Sequence, residues 1–278
     1  MSITVDLSGK SVLVTGVSSG LGRDLARAFT HAGAHVIGTA RRADLGKSLV
    51  QELKGSAGTF VFEPGDVSQV DECERLVARA VQLSGRVDVL VNNAAVRTDP
   101  PLLDIDDVDE ANFDRVIDTN LKSAFFMTKY AARPMREQSS GVIINIASHT
   151  AEQATRGMSV YVSSKAGLVQ LTRATAVEYL DVGIRANVIL LGGTATGQQK
   201  RTAAASSHDN EQEAAGRQRA AVDPEAWLND PADVARAVVA LSDDDCAVIT
   251  GASIAMDSAA TAGAMTSAYT HQLIAASR

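Results

Sequence analysis

Residues 11–33 constrain the fold more than any other stretch of the chain. A short β-branched run, Ser11 to Thr15, leads directly into Thr15-Gly16-Val17-Ser18-Ser19-Gly20-Leu21-Gly22, and an apolar stripe follows at Leu21, Leu25, Ala28, Phe29 and Ala32. That spacing places the five side chains on one face of a helix, with Gly33 at its C-cap. Glycines permit positive φ and close backbone approach, while a helix N-terminus offers unsatisfied N–H groups and a partial positive charge. Strand, glycine turn and helix in this order therefore suit a phosphate or pyrophosphate. The spacing is TGxxxGxG rather than GxGxxG, and glycines serve any tight strand-to-helix connection as well, so the turn alone leaves both readings open.

The rest of the chain repeats the same alternation. Further short runs at Ala34–Thr39, Thr59–Glu63, Val87–Val91, Val142–Ala147, Ile184–Leu190 and Ala252–Met256 bring the strand count to seven, with helical stretches between them. Such alternation predicts βαβ units around a parallel sheet. Asp230 and Pro231 have the character of an N-cap and first helical residue for a helix carrying Val234, Val238 and Leu241 inward. Gly192 to Asn229 breaks the rhythm: it is rich in Ala, Gln, Ser and charges and far longer than the usual connection of about 4–6 residues. It reads as a lid or substrate loop, with a surface insertion as the alternative. With no linker elsewhere, residues 1–278 read as one domain.

Composition narrows the function. The chain has 278 residues, 45% hydrophobic and 21% charged, which suits a globular protein with a sizeable core. Its net charge of −7 is the wrong sign for a nucleic-acid surface. Cys73 and Cys246 stand far apart without metal-ligand or disulfide-framework spacing, and the five histidines are unpaired in sequence. The reading is a cytoplasmic protein with no metal, no nucleic-acid partner and no membrane span.

Several separated motifs then occur in order: TGxxxGxG at residues 15–22, Asn92-Asn93-Ala94-Ala95 after a strand, Asn120 in a helix, Ser148 at a strand end, and Tyr161-Val-Ser-Ser-Lys165 opening another helix. Together they resemble the short-chain dehydrogenase/reductase family, from Leu7 to Asp257. The resemblance implies a doubly wound, Rossmann-type α/β fold, a seven-stranded parallel sheet with helices on both faces. It also implies an oxidoreductase that interconverts a carbonyl and a secondary alcohol, a ketoreductase when run toward the alcohol.

Tyr161 and Lys165 lie one helical turn apart and share a face. A free tyrosine, with a pKa of about 10, is a poor base near neutrality, and a neighbouring ammonium favours the phenolate. The resemblance makes Tyr161 the acid/base, and it makes Lys165 the tuner of Tyr161 and a holder of the nicotinamide ribose. It makes Ser148 the residue that orients the substrate carbonyl, and Asn120 the residue that positions a water beside the lysine. Ser148 could equally cap local backbone, and Asn120 could bond backbone within a helix bend.

The same resemblance assigns the cofactor site. Gly16, Ser18, Ser19, Gly20, Leu21 and Gly22 would hold the pyrophosphate, Asp66 and Val67 the adenine, and Asn93 and Ala94 the adenosine ribose. Thr194 and Thr196 would hold the carboxamide. An acid at the end of the second strand would bond both ribose hydroxyls of NAD; here Ala40 is followed by Arg41 and Arg42, which favours NADP(H) with Arg41 as phosphate partner and Arg42 in reserve. Asp66 could instead be a helix cap. Departures from the pattern are Ala95 for glycine, Leu191 for proline, and Ser258-Ala259 after Asp257 where relatives often have two glycines; the last puts the C-terminal packing in question. The alternatives are an NAD-dependent alcohol dehydrogenase of the same fold and a non-catalytic nucleotide-sensing protein. Relatives also imply a homotetramer built through the helices bearing Lys122 and Tyr161 and the last strand. The extension from Ser258 to Arg278 could join that interface or cover a neighbour's site. The substrate is a small carbonyl or alcohol that pocket residues Val96, Arg97, His149 and Gln153 would select.

Overall fold

The computed structural model describes residues 5–194 and 228–262. Its strands are β1 Ser11–Thr15, β2 His35–Ala40, β3 Thr59–Pro64, β4 Val89–Asn92, β5 Gly141–Ile146, β6 Ile184–Leu191 and β7 Ser253–Met256. They form one sheet in the order β3-β2-β1-β4-β5-β6-β7, with every pair parallel. Val12 pairs with Val36 of β2 on one side and Val89 of β4 on the other. The helices are α1 Leu21–His31, α2 Ala43–Glu52, α3 Val70–Ser84, α4 Glu110–Ile117, α5 Ser123–Gln138, α6 Ser159–Glu178 and α7 Pro231–Leu241.

Both faces of the sheet are covered, and the strand sequences show why. Side chains alternate along a strand, so Val12 and Val14 join Leu25 and Phe29 of α1 and Val238 of α7 in one core. Leu13, between them, joins Leu76 of α3 and Met127 of α5 in the other. A strand buried on both faces must be apolar at every position, which is why these runs read as continuous rather than alternating.

Local rules hold at the helix ends. The chain leaves α1 through Ala32, and Gly33 follows at φ +90°, a conformation that favours glycine. Asp230 caps α7 by accepting from the Ala232 N–H at 2.9 Å, with Pro231 as first helical residue. Among the described residues no helix is long and apolar enough to cross a membrane.

The C-terminal end of the sheet is tightly held. Arg185 of β6, buried, donates to the carbonyls of Leu241, Asp243 and Ile249 at 2.9–3.2 Å and so fastens the link between α7 and β7. Gly192 packs so closely on Asp257 that an added Cβ would lie 2.5 Å from its Cα. Asn229 donates from its backbone to Gly193 O at 2.8 Å and from its side chain to Met256 O at 2.7 Å, closing the base of the long connection. The expected substrate loop otherwise falls on residues 195–227, and with Thr196 lies outside the described residues, as does the extension beyond 262.

Ser258 and Ala259 turn the chain in a left-handed conformation, φ +52° and +64°, although neither is glycine. The turn is held by Asp257, whose carboxylate accepts from the N–H and hydroxyl of Thr261 at 2.8 and 2.6 Å. A left-handed non-glycine residue costs about 1–2 kcal/mol, and glycine loses about 0.5–1 kcal/mol of that advantage through its unfolded-state freedom. Ala259→Gly is therefore expected to raise stability by about 0.5–1 kcal/mol, read as a higher midpoint in urea; a lower midpoint would show that the methyl is needed for packing.

Candidate functional site

In the order β3-β2-β1-β4, the chain reverses direction between β1 and β4, and a crevice opens there at the strands' carboxyl ends. The glycine turn fills its floor. Gly16 has φ +79° and packs against the next loop so closely that a Cβ would stand 2.9 Å from Ala94 Cα. A Cβ on Gly22 would lie 2.2 Å from Gly16 O. Such a turn keeps side chains out and leaves backbone N–H groups and the N-terminus of α1 facing the crevice, which fits a pyrophosphate.

Thr15 fixes how the two strand ends meet. Its hydroxyl accepts from the N–H groups of Asn93 and Ala94, both at 3.0 Å, while Asn93 Nδ2 donates to Thr15 O at 2.8 Å. Asn93 and Ala94 are thus brought onto the glycine turn. Thr15 itself is a residue the motif reading passed over, although it is the threonine of TGxxxGxG. Ala95 does not have a left-handed backbone, so the missing glycine imposes no strain there. Leu191, in place of proline, extends β6 and pairs with Met256.

The two arginines after β2 part company. Arg42 donates to Ser18 Oγ at 2.9 Å and to Ser19 Oγ at 2.7 Å, lying across the glycine turn. Arg41 faces outward toward Asp66 at 4.0 Å, an exposed pair of little energetic weight. Asp66 also accepts from Ser68 N and Oγ at 3.1 and 2.9 Å, shaping the turn into α3 beside buried Val67. Geometry therefore ties Arg42, the reserve partner, to the glycine turn, and Arg41 to the Asp66 loop.

The four candidate catalytic residues converge above β4 and β5. Ser148 follows β5 and opens a short 3₁₀ turn, His149–Ala151; its Oγ accepts from Thr150 N and Oγ1 at 3.2 and 2.9 Å. The hydroxyl thus caps local backbone. Tyr161 and Lys165 lie in the first turns of α6, both buried. The Lys165 ammonium donates to Ile146 O at 2.8 Å, at the end of β5. Asn120 sits in a single π-helical turn, Asp118–Lys122, between α4 and α5. Its carboxamide accepts from Val96 N at 2.8 Å and donates to Val96 O at 2.9 Å and Ser164 Oγ at 3.0 Å. Ser164 in turn donates to Tyr161 O at 2.7 Å. Asn120 thus clamps the loop after β4 to α6.

Burial dominates the electrostatics. It pushes the Tyr161 phenol above its ordinary value, opposed by the charge of Arg97 and by contacts with Ser148 and Arg97. It pulls Lys165 down to about 7. The Arg97 guanidinium lies 5.3 Å from the Tyr161 ring centroid, and Lys165 Nζ lies 5.8 Å from it. His149 Nδ1 lies 3.2 Å from Leu191 O.

Comparison with known proteins agrees with the fold. The short chain dehydrogenase family profile matches residues 10–207. An uncharacterized oxidoreductase of Thermotoga maritima is 33% identical over 258 residues, 93% of this chain and 100% of that protein. L-rhamnose 1-dehydrogenase (NAD(P)(+)) of Azotobacter vinelandii is 35% identical over 256 residues, 90% of this chain and 96% of that one. The crystal structure of levodione reductase superposes with a TM-score of 0.82 at 28% identity, covering 92% of this chain and 98% of the other. With its seven-stranded parallel sheet, its glycine turn and its match across most of its length, the chain belongs to the short-chain dehydrogenase/reductase family of NAD(P)-dependent oxidoreductases.

Proposed function

We propose that this protein is an NADP(H)-preferring oxidoreductase that interconverts a small carbonyl compound and the corresponding secondary alcohol, within one domain. The observation that carries the reading is the convergence of the Tyr161 and Ser148 hydroxyls beside buried Lys165 at the mouth of the crevice. The glycine turn, with Ser18, Ser19, Leu21, Asp66, Val67, Asn93, Ala94 and Thr194 around it, suits a dinucleotide, and the bound cofactor would supply or accept the hydride. The protein supplies the proton and the electrostatics. In reduction, Tyr161 passes its phenolic proton to the developing alkoxide while Ser148 donates a hydrogen bond to the same oxygen. In oxidation, Tyr161 takes the alcohol proton. Lys165 holds the nicotinamide ribose, and Asn120 keeps α6 and the loop after β4 in register.

The NADP preference is supported by two features: the end of β2 carries Ala40 rather than an acid, and Arg42 is already drawn onto Ser18 and Ser19. A ligand that binds only the folded state raises stability by RT ln(1 + [L]/Kd). NADPH is expected to raise the melting temperature more than NADH, and Arg42→Ala to weaken NADPH binding about tenfold or more, as for loss of one charge-assisted hydrogen bond. An equal response to both cofactors would reassign the preference. Arg41→Ala separates the two arginines, since geometry gives it the smaller effect.

Half-exposed Phe113 on α4 and Phe125 on α5 favour association through these helices, in line with a homotetramer. Light scattering would read a monomer as evidence against it. The free thiols of Cys73 and Cys246 suit a reducing, cytoplasmic setting.

A further inference from the structure

We propose that Arg97, in the loop after β4, is a positioning residue for Tyr161: its guanidinium, held over the phenol ring, favours the phenolate and orients the reacting hydroxyl. The inference rests on the acid/base role proposed for Tyr161, and gives Arg97 a share in the tuning that the motif alone would leave to Lys165.

The geometry separates the two cations. Arg97 Cζ stands 5.3 Å from the Tyr161 ring centroid, within cation–π range, and the side chain is half-buried. Lys165 Nζ is farther, at 5.8 Å, and its ammonium is directed to Ile146 O. A guanidinium keeps its charge at every physiological pH, whereas buried Lys165 titrates at about 7. The Arg97 charge is the largest influence that opposes burial at the phenol, ahead of the contact with Ser148.

The loop that carries Arg97 is fixed relative to Tyr161. Asn120 engages both backbone groups of the adjacent Val96, at 2.8 and 2.9 Å, and the same carboxamide reaches Ser164 of α6 at 3.0 Å. Ser164 bonds the Tyr161 carbonyl at 2.7 Å. Asn120 thereby ties the stem of Arg97 and the backbone of Tyr161 to one amide. Among the described residues, the charged groups facing the phenol are Arg97 from the loop after β4 and Lys165 from α6. The loop after β5 presents the neutral Ser148, and its His149 bonds Leu191 O instead.

The test is a pH titration of tyrosinate absorbance in the purified protein, with the Tyr161→Phe trace subtracted to isolate one tyrosine among four. Arg97→Met is expected to raise the Tyr161 midpoint by about one unit or more, and Arg97→Lys to raise it less. Where the protein oxidises an alcohol, the acid limb of kcat/KM should move the same way, with about tenfold loss near neutrality per unit. Should Arg97→Met fail to fold, Arg97→Gln removes the charge while keeping a polar head. An unchanged Tyr161 midpoint in the charge-free variant overturns the inference. The titration needs no substrate: a shifted midpoint in a protein that turns over no carbonyl or alcohol would overturn the proposed reaction while leaving the Arg97–Tyr161 coupling established.

Discussion

Tyr161→Phe is expected to lower turnover by about a thousandfold or more while leaving cofactor binding largely intact. General acid/base transfer contributes about 10²–10⁴-fold when the proton has no other route. Phenylalanine keeps the ring, so the buried site stays filled and only the hydroxyl is lost. That loss leaves Ser148 Oγ its contacts with Thr150 and Lys165 Nζ its bond to Ile146 O, while Arg97 gives up its contact with the hydroxyl but keeps the ring beneath it. The variant should therefore melt near the parent temperature and still respond to NADPH. Steady-state turnover on any converted carbonyl, measured beside the cofactor-induced melting shift, separates chemistry from binding. A Tyr161→Phe enzyme that turns over normally would transfer the proton role elsewhere, with Ser148 the nearest hydroxyl.

Gly22→Ala has the second large effect, on binding rather than chemistry. The added methyl would sit 2.2 Å from Gly16 O, and Gly16 cannot retreat because it packs against the Ala94 backbone. Two rigid backbone segments must separate, which costs about 1–3 kcal/mol or more and opens the turn that faces the crevice. Cofactor affinity should fall about a hundredfold, equivalent to about 2.7 kcal/mol, with a lower melting temperature. Gly55→Ala serves as control: Gly55 has φ +82° but nothing within 4 Å of a built Cβ, so its substitution strains a remote surface turn and should destabilise without changing affinity. Calorimetric titration of the two variants with NADPH decides the matter, and equal affinities would remove the glycine turn from the binding site.

Much of this molecule is written in local pattern. Apolar runs set the strands, the stripe from Leu21 to Ala32 sets α1, Gly33 ends it, and Asp230 with Pro231 starts α7. Each depends on residues a few positions apart, where periodicity and capping act directly. The ordered motifs likewise identify the glycine turn and the Tyr161–Lys165 pair, since i, i+4 on a helix fixes a shared face.

Contacts between distant segments were beyond that reach. Nothing near Arg41 and Arg42 tells which one crosses to the glycine turn; the choice follows from where α2 leaves β2 and where Ser18 stands across the crevice. Asn120 is recognisable as a motif residue, but its grip on Val96 and Ser164 joins three elements that meet only through the sheet order. The position of Arg97 over Tyr161 has the same origin. Even the sense of the phenol's perturbation is tertiary: one helical turn from an ammonium, a tyrosine should be more acidic, yet burial raises it against the opposing influence of Arg97 and Ser148. Sequence alone determined the elements and the fold, because those follow from short-range sterics and hydrophobic period. Only the tertiary structure decided their partners and charge states, because burial and pairing depend on what the folded chain places across the gap between β1 and β4.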